Sequence, residues 1–354
     1  MPIPSPVFWR GRRVLLTGHT GFKGAWLAIW LQRLGASVCG ISLPPPTDPS
    51  LFELADIDGL AESHLCDVRE MSLVDGIVRD FQPEIVLHLA AQPLVRASYD
   101  DPVLTFGSNV MGTVHVLEAA RRAGSVRAIV AVTTDKVYRD QQTFFPYRES
   151  DTLGGHDPYS ASKAAAEIVV SSYRDSFLRS AGIPLASVRA GNVIGGGDWA
   201  RDRLIPDAVR AWQAGQVLQV RNPAAVRPWQ HVLEPLNAYL CLAEQLWNQP
   251  TLADAYNIGP AGHDVMDVRS LVDLARSVYG KGAVEYGKAD AHAPHETHYL
   301  SLETAKARHI LGIEPRWSAA EAVRLTMEWY RQQKEGADAR NLCHAHIDSY
   351  ERTA

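Results

Sequence analysis

The sequence predicts an α/β protein in which a doubly wound parallel sheet, with helices on both faces, is followed by a smaller C-terminal lobe. Short apolar segments alternate with longer helical segments through residues 1–190. Such alternation is typical of βαβ units, which build a parallel sheet covered on both faces. From residue 191 glycine, tryptophan, proline and arginine become frequent. We therefore expect one domain over residues 1–190, a lobe formed mainly by 191–354, and a segment at about 230–258 that packs back on the sheet.

The first predicted unit is a strand, a glycine-rich turn and a helix. RVLLTG (13–18) reads as a buried strand, and AWLAIWLQRLG (25–35) as an apolar helix. Gly18, Gly21 and Gly24 between them are spaced G-x-x-G-x-x-G. This spacing permits a tight turn, lets backbone amides approach a pyrophosphate, and allows the helix to pack on the sheet. The unit therefore predicts a dinucleotide site.

The remaining predicted elements follow in alternation. Further strands are predicted at residues 37–42, 64–68, 84–91, 127–134 and 184–190, with helices at 72–81, 109–124 and 159–177. Trp26 and Trp30 lie at helical spacing on the first helix, and such an apolar stripe usually belongs to the core.

Composition and charge exclude several classes of protein. The 354 residues carry a formal net charge of −5, and no basic run suggests nucleic acid. The four cysteines are scattered without C-x-x-C spacing, which fits reduced thiols. The N-terminal segment has no apolar signal core, and no apolar stretch is long enough to span a bilayer. We therefore expect a cytoplasmic enzyme without a membrane partner.

A tyrosine and a lysine mark the predicted catalytic helix. Tyr159 and Lys163 in DPYSASK (157–163) lie four residues apart, so both side chains project from one helix face. The charge of the lysine is expected to lower the pKa of the tyrosine, which then acts as a general base near neutral pH. This pairing indicates redox chemistry on an alcohol, although the same spacing also occurs on ordinary helix surfaces.

Seven motifs carry a resemblance to a known family. They are TGHTGFKG (17–24), LHLAAQPLVRASY (87–99), NVMGTVHVLEA (109–119), TTDKVY (133–138), DPYSASK, SVRAGNVIGGGDWARDRLIPD (187–207) and RPWQHVLEPL (227–236). With them, the chain resembles the extended short-chain dehydrogenase/reductase family over nearly its whole length, and within it the nucleotide-sugar dehydratases. The domain of this family is of the Rossmann type.

The resemblance implies a role for each catalytic residue. Tyr159 removes the proton of the sugar 4-hydroxyl, Lys163 holds the nicotinamide ribose, and Thr134 hydrogen-bonds the same sugar oxygen. Asp135 protonates the departing 6-hydroxyl, and Lys136 acts as the C5 base or as a charge stabiliser for the enolate. Related hexose dehydratases carry an Asp-Glu pair here, so the identity of the C5 base stays open.

The implied cofactor is NAD. The end of the second strand, ISLPPPT (41–47), has no positive residue to satisfy a 2′-phosphate, which favours NAD over NADP. Ser42 is expected at the ribose, and Asp67 and Val68 at the adenine. The full set of expected cofactor residues is Gly18, Thr20, Gly21, Phe22, Lys23, Gly24, Ser42, Asp67, Val68, Leu89, Ala90, Ala91, Tyr159 and Lys163.

The implied substrate is CDP-glucose, with arginines of the lobe on its diphosphate. The expected substrate residues are Gln92, Asn109, Asn192, Asp198, Arg203, Arg221, Arg227 and His295, and a structural role for Asn109 is an equal alternative. No metal is expected: His295 and His298 lack H-E-x-x-H spacing, and CHAHID (343–348) is interpreted as a surface tail. Helices at 104–122 and 159–178 resemble those that pair family members, so a homodimer or tetramer is expected.

Two other functions compete with the dehydratase. An epimerase of the same fold would reduce the ketone without water loss, but it needs no acid and base at Asp135 and Lys136. A catalytically idle, NAD-binding regulatory module would not need Tyr159, Lys163 and Thr134 together.

Overall fold

The computed structural model describes residues 2–141, 143–287 and 299–353. The strands in this part of the chain are β1 (Arg13–Thr17), β2 (Ser37–Ser42), β3 (Glu62–Leu65), β4 (Ile85–His88), β5 (Ala128–Val132), β6 (Leu185–Ala190), β7 (Val193–Ile194), β8 (Val217–Val220), β9 (Val226–Arg227), β10 (Gln230–His231), β11 (Ala255–Ile258), β12 (Met266–Asp267) and β13 (Ala283–Tyr286).

The helices alternate with these strands and then dominate the C-terminal part. They are α1 (Pro6–Trp9), α2 (Phe22–Arg33), α3 (Leu51–Leu54), α4 (Met71–Phe81), α5 (Val95–Asp100), α6 (Pro102–Phe106), α7 (Gly112–Arg122), α8 (Pro158–Tyr173), α9 (Leu204–Gln213), α10 (Leu233–Asn248), α11 (Val268–Tyr279), α12 (Ala319–Lys334) and α13 (Ala339–Arg352). Among the described residues, no helix has the length and apolar character needed to cross a membrane.

The central sheet has seven strands in the order β11-β6-β5-β4-β1-β2-β3, and all its pairs are parallel. Val14 of β1 pairs with Val38 of β2 on one side and with Ile85 of β4 on the other. The order therefore reverses at β1, and ligands of such sheets bind at the carboxyl ends of the strands beside this reversal. The predicted doubly wound parallel sheet is confirmed.

Helices cover both faces of the sheet. One face packs against α2, whose Trp26 and Trp30 are fully buried together with Leu236 of α10 and Trp329 of α12. The other face packs against Val74 of α4 and other apolar side chains of α7 and α8. The sheet is thus enclosed, which leaves its carboxyl edge as the place where polar side chains collect.

Two predictions about local structure were wrong. The third strand was predicted at 64–68 but ends at Leu65, because Asp67 accepts the backbone N–H of Arg69 and turns the chain. The segment CHAHID was interpreted as a surface tail, but it lies in α13, where Cys343 and His346 are buried. Helix α13 contacts α2, the helix that follows the glycine-rich turn.

The C-terminal part contains three small two-stranded sheets, β7 with β10, β8 with β13, and β9 with β12. Helix α10 contacts β5 and β6, and β11 pairs with β6 at the edge of the large sheet. One apolar cluster runs through both parts of the chain. A division at residue 190 therefore stays a prediction.

Gly196 offers a test of how closely the C-terminal part packs against α12. A Cβ atom at Gly196 would lie 2.0 Å from Cδ2 of Trp329. We expect Gly196→Ala to lower the free energy of unfolding by about 1–3 kcal/mol, as overpacking does. Gly76→Ala is the control, since its nearest neighbour is Nη2 of Arg79 at 3.9 Å. In mid-helix that change should raise stability by about 0.5–1 kcal/mol. Equal effects in chemical denaturation would contradict the close contact.

Candidate active site

The glycine turn after β1 is closed against the loop after β4. Gly18 has φ +81°, and a Cβ there would lie 2.9 Å from the backbone nitrogen of Ala90. A Cβ at Gly24 would lie 2.0 Å from the carbonyl oxygen of Gly18, so the first turn of α2 rests directly on the loop. Both positions require glycine. The turn has the conformation and the helix contact that its spacing predicts.

The turn fits the phosphates of a dinucleotide. Gly21 precedes α2 and supplies no side-chain cap, so the first backbone N–H groups of the helix face the turn without one. Helix N-termini of this kind bind phosphate through these amides and the helix dipole. Phe22 begins the helix with its ring against the position of Gly195, and Lys23 follows it. The residues present therefore suit the pyrophosphate of NAD.

A buried histidine that sequence reasoning missed holds the loop after β4. The Thr17 hydroxyl accepts the backbone N–H groups of Leu89 and Ala90 at 3.1 and 3.0 Å, and lies 2.7 Å from Nδ1 of His88. Nε2 of His88 lies 3.1 Å from the hydroxyl of Thr113. Burial lowers the pKa of His88 to about 3, so the ring is neutral and relays hydrogen bonds. The loop Leu89–Ala91 is thereby fixed beside the glycine turn.

The predicted ribose and adenine residues lie at the ends of β2 and β3. The Ser42 hydroxyl lies 2.7 Å from the Thr20 hydroxyl, which also donates to the carbonyl of Leu43 at 2.8 Å. Asp67 binds the guanidinium of Arg69 through Oδ2, at 2.9 Å from Nε and 2.7 Å from Nη2. This hydrogen bonding holds the pKa of Asp67 below its usual range.

Val68, the other residue predicted at the adenine, packs against α7. Its side chain is buried, and its Cγ2 would lie 2.7 Å from a Cβ at Gly112 of α7. The Val68 carbonyl lies 3.0 Å from Nδ1 of His115. The fixed backbone and apolar side chain suit the edge and face of an adenine ring.

The catalytic residues of the prediction converge at the carboxyl end of β5. Thr134 begins a 3₁₀ turn, Asp135–Val137, and donates from its hydroxyl to Oδ1 of Asp135 at 3.0 Å. Its side chain is also hydrogen-bonded to Tyr159 of α8. Asp157 caps α8 by accepting the backbone N–H of Ser160 at 2.9 Å, which fixes the start of the helix that carries Tyr159.

The ionisation of Tyr159 differs from the prediction. Burial raises the pKa of Tyr159 to about 12, and hydrogen bonding with Thr134 and the charge of Arg203 oppose the rise. Lys163 donates instead to the carbonyl of Val132 at 3.1 Å, and burial lowers its own pKa to about 8. The predicted lowering of the tyrosine pKa by Lys163 is therefore wrong for this structure, because desolvation outweighs the neighbouring charges.

Asp135 has the environment of a proton donor. The side chain is 2% exposed, and Oδ2 has no hydrogen-bond partner among the described residues. Burial raises the pKa of Asp135, whereas Lys136, Thr134, Arg227 and Lys23 lower it. Oδ2 lies 3.1 Å from where a Cβ of Gly191 would be, so a larger residue there would crowd this buried oxygen. A buried carboxyl with a raised pKa and one unengaged oxygen suits a general acid.

Lys23 reaches further into the site than its place in the glycine turn implies. Burial lowers its pKa to about 7, with Arg203 and Lys163 as like charges and Asp135 and Asp198 as opposite charges. This residue, predicted only as a cofactor contact, therefore belongs electrostatically to the catalytic cluster.

The predicted phosphate residues separate into two groups. Arg203 lies 3.4 Å from Oδ2 of the buried Asp198 and acts electrostatically on Tyr159, while Arg227 acts on Asp135. Asn192 is half-buried, and its backbone carbonyl accepts the N–H of Gln230 at 3.0 Å. Arg221, in contrast, is exposed beyond the end of β8, with no contact to the catalytic cluster among the described residues.

The side chains of Asn109 and Gln92 are hydrogen-bonded to other residues of the protein. Asn109 accepts the backbone N–H of Gln92 at 2.8 Å and donates to the Ser162 hydroxyl at 2.8 Å. The Gln92 amide bonds the backbone of Leu94 and the Thr105 hydroxyl. Asn109 thus joins the loop after β4 to α8. His295 lies outside the described residues.

One group of metal-type side chains lies away from this site, on β2 and β3. Atoms of Cys39, Glu62 and His64 lie within 4.8 Å of one another. Burial raises the pKa of Cys39 to about 12, so the thiol keeps its proton, and His64 lies 2.9 Å from Glu62. The group is a histidine–glutamate pair beside a buried thiol.

Sequence reasoning also missed the buried ion pair of Glu167 and Arg189. Their side chains are 3% and 5% exposed, and Nη2 of Arg189 lies 2.7 Å from Oε2 of Glu167. Glu167 follows Tyr159 and Lys163 at i+8 and i+4 on one face of α8. Arg189 interrupts the otherwise uncharged strand LASVRA. A charge in a buried strand is the signal that points to such a partner.

Comparison with known proteins agrees with this geometry. Residues 14–259 match the NAD dependent epimerase/dehydratase family. The chain is 46% identical over 337 residues to the CDP-glucose 4,6-dehydratase of Salmonella typhimurium strain LT2, an alignment that covers 94% of each protein.

Solved structures share the fold. The UDP-glucose 4-epimerase of Thermus thermophilus, in complex with NAD, is 26% identical with a TM-score of 0.77, covering 90% of this chain and 99% of that one. A dTDP-glucose 4,6-dehydratase of Streptomyces venezuelae with NAD bound is 24% identical with a TM-score of 0.76, covering 93% and 99%, and supports the fold alone. The family match, the full-length relative and the NAD-fitting turn agree: this chain belongs to the NAD dependent epimerase/dehydratase family.

Proposed function

We propose that this chain is a CDP-glucose 4,6-dehydratase, an NAD-dependent lyase that converts CDP-D-glucose to CDP-4-dehydro-6-deoxy-D-glucose and water. The observation that carries the proposal is the buried Asp135, followed by Lys136, beside Tyr159 and Thr134 at the carboxyl end of β5. An acid and a cation next to the alcohol-oxidising group are what water loss requires beyond oxidation. The 46% identity over 94% of both chains supports the choice of CDP-glucose.

The first step is oxidation at C4. NAD⁺, held by the glycine turn after β1 and by Lys163, would supply the acceptor for the C4 hydride, its donor to C6 and a positive charge in the site. Tyr159 removes the proton of the 4-hydroxyl as the hydride leaves, and the Thr134 hydroxyl orients the tyrosine. Since burial holds the pKa of Tyr159 at about 12, the phenol needs added positive charge to lose its proton near neutral pH. Lys163 contributes by binding a ribose hydroxyl with its buried amine.

The second step is loss of water across C5 and C6. The new C4 ketone acidifies the C5 hydrogen. Lys136 removes that proton as a base, or, as a cation, stabilises the enolate while a water molecule takes the proton. Asp135 gives its proton to the 6-hydroxyl, which departs as water. Hydride then adds to C6 and a proton to C5, so that the sugar and water together contain all the atoms of the substrate. The raised pKa of Asp135 supports its role as the acid.

Arg203 and Arg227 are proposed to neutralise the diphosphate. Both are half-buried near the catalytic cluster, and a guanidinium can bind phosphate oxygens in bidentate geometry. Nη1 of Arg227 donates to the carbonyl of its neighbour Val226 at 2.8 Å. Arg221 and His295 remain proposed contacts of the lobe, supported by their place in the sequence.

Assembly through α8 and the α6–α7 segment is proposed as well. Apolar side chains are exposed along these helices, with Val103 at 82% and Ile168 at 62% exposure, and Phe106, Met111 and Phe177 also exposed. A cluster of this kind marks an interaction surface. A cytoplasmic location is supported by four unpaired cysteines.

We expect a homodimer or tetramer in solution. Sedimentation velocity at micromolar protein should report at least twice the chain mass of 38.9 kDa. A species of single-chain mass under these conditions would contradict pairing through these helices.

Substrate choice is tested by supplying CDP-, dTDP-, UDP- and GDP-linked glucose separately and following mass loss. We expect loss of one water from CDP-glucose and none, or far slower loss, from the others. Dehydration of another nucleotide sugar instead would reject the cytidine assignment but keep the chemistry. Conversion to a C4 epimer without mass change would replace the dehydratase by an epimerase, and binding without turnover would indicate a regulatory module.

Lys136→Met separates the two steps. Oxidation should continue, because Tyr159, Thr134 and Lys163 are unchanged, while water loss should slow by about 10²–10⁴-fold, as loss of a general base does. Stopped-flow absorbance at 340 nm should therefore show reduced cofactor accumulating after CDP-glucose is added.

Two variants serve as controls for Lys136→Met. Tyr159→Phe should give no rise at 340 nm, and exposed Lys281→Met should behave as the unaltered protein. Full turnover by Lys136→Met would remove Lys136 from the mechanism.

A further inference from the structure

A buried hydrogen-bonded chain ties together both ends of the segment that carries the proposed acid and base. The segment runs from Thr133 at the end of β5 to Tyr138 after the 3₁₀ turn. Its central residues are Thr134, Asp135 and Lys136. None of the groups that hold its two ends belongs to the reacting set described above.

The first end is held by Glu167 of α8. Oε1 of Glu167 accepts the Thr133 hydroxyl at 2.5 Å, and Oε2 accepts the Ser187 hydroxyl at 2.8 Å and the Arg189 guanidinium at 2.7 Å. The backbone N–H of Thr133 donates to the Val188 carbonyl at 2.9 Å. The carboxylate is therefore fully engaged, and it locks Thr133 to both α8 and β6.

The second end is held by the phenol of Tyr138. Its hydroxyl accepts Nη1 of Arg189 at 3.0 Å and donates to Oδ1 of Asn257 at 2.5 Å. The Asn257 amide in turn donates to the carbonyl of Tyr147 at 2.9 Å. Tyr138 is 5% exposed, and the Arg189 guanidinium lies 5.2 Å from its ring centroid. A single arginine thus connects the two ends of the segment.

We infer that Glu167, Arg189 and Tyr138 are positioning residues that hold Asp135 and Lys136 in place for water loss, while the oxidation step depends on them much less. We call these three residues the Glu167–Arg189–Tyr138 bridge. The inference rests on the proposed function for the identity of the step, but the bridge itself is a feature of the chain.

The selectivity follows from where each catalytic group is anchored. Tyr159 and Lys163 lie on α8, where the backbone of Tyr159 donates to the Ser98 hydroxyl at 3.1 Å and Lys163 donates to Val132. Those contacts do not pass through Tyr138, and Thr134, which orients Tyr159, adjoins Thr133, whose anchors are Glu167 and the Val188 carbonyl. Asp135 and Lys136, in contrast, lie on the short turn between the two anchors. A misplacement of about 1 Å can cost a catalytic group about 10²-fold in rate.

Backbone hydrogen bonds also hold the turn, independently of the Tyr138 hydroxyl. The N–H of Gly154 donates to the Val137 carbonyl at 2.8 Å, and the N–H of Arg139 donates to the Thr152 carbonyl at 2.9 Å. Removing the phenol oxygen of Tyr138 should therefore loosen the turn without unfolding it. Replacing Glu167 or Arg189 would leave the other as a buried charge without its partner and destabilise the whole fold. These variants are therefore poorer probes of the turn.

Tyr138→Phe tests the inference, with Tyr256→Phe as the matched control. Tyr256 is also buried, and its hydroxyl donates to the Leu252 carbonyl at 2.8 Å, away from the turn. Tyr138→Phe removes two hydrogen bonds of a buried tyrosine hydroxyl, and Tyr256→Phe removes one. The holoenzyme is mixed with CDP-glucose in a single turnover, and absorbance at 340 nm reports the rise and the decay of reduced cofactor.

For Tyr138→Phe we expect a rise rate within about twofold of the unaltered protein and a decay at least tenfold slower. Hydrogen exchange of the amides of residues 135–138 should also become faster, measured by mass spectrometry on the holoenzyme. Tyr256→Phe should change neither. Equal slowing of rise and decay, or an unchanged decay, would overturn the inference. If the unaltered protein dehydrates no nucleotide sugar, the proposed function fails, and the exchange measurement alone decides whether the bridge holds the turn.

Discussion

The removal of charged groups from water at the carboxyl edge of the sheet is the constraint on which the site depends. Asp135, Lys163 and Glu167 are all nearly inaccessible to solvent, within the space between β5, β6 and α8. Desolvation disfavours each charge, and only a partner or a shift in pKa can offset that cost. Glu167 is satisfied by three donors, whereas Asp135 keeps an unengaged oxygen and a raised pKa. Burial thus leaves the Glu167 carboxylate fully hydrogen-bonded and the Asp135 carboxyl with one oxygen unengaged.

The nucleotide-binding frame and the reacting groups have different physical origins. The frame depends on backbone geometry, with Gly18 and Gly24 permitting contacts that any Cβ would block. The ionisation of the reacting groups depends on burial and neighbouring charges at the carboxyl end of β5, which lies on the other side of β4 from β1. A frame of this kind accommodates epimerases and dehydratases alike, as the shared fold of the solved relatives indicates. The proposed function therefore assigns the chemistry beyond oxidation to the turn after β5, where Asp135 and Lys136 lie.

Local sequence predicted the parts of the fold that depend on local physics. The strand, turn and helix of residues 13–35 were readable because glycine spacing and apolar runs determine them directly. Tyr159 and Lys163 were readable because helical spacing fixes which side chains share a face. The third strand was misplaced because the Asp67–Arg69 turn ends it through a side-chain contact that alternation does not reveal.

Contacts between distant segments were out of reach of the sequence. Arg189 meets Glu167 and Tyr138 only because β6 lies beside β5 in the sheet. His88 relays between Thr17 and Thr113, residues far apart along the chain. The pKa of Tyr159 was predicted in the wrong direction because spacing gives the neighbours of a group but not its solvent exposure. Arg221 was grouped with Arg203 and Arg227 by composition, yet its side chain is exposed.

The central claim is that one hydrogen moves from C4 to C6 within a single site while Asp135 and Lys136 remove water. The most direct measurement supplies CDP-glucose carrying deuterium at C4 and locates the label in the product by nuclear magnetic resonance and mass spectrometry. We expect the deuterium to be retained and to lie on C6 of the 4-keto-6-deoxy sugar. Deuterium that remains at C4, or that is lost to solvent, would contradict it.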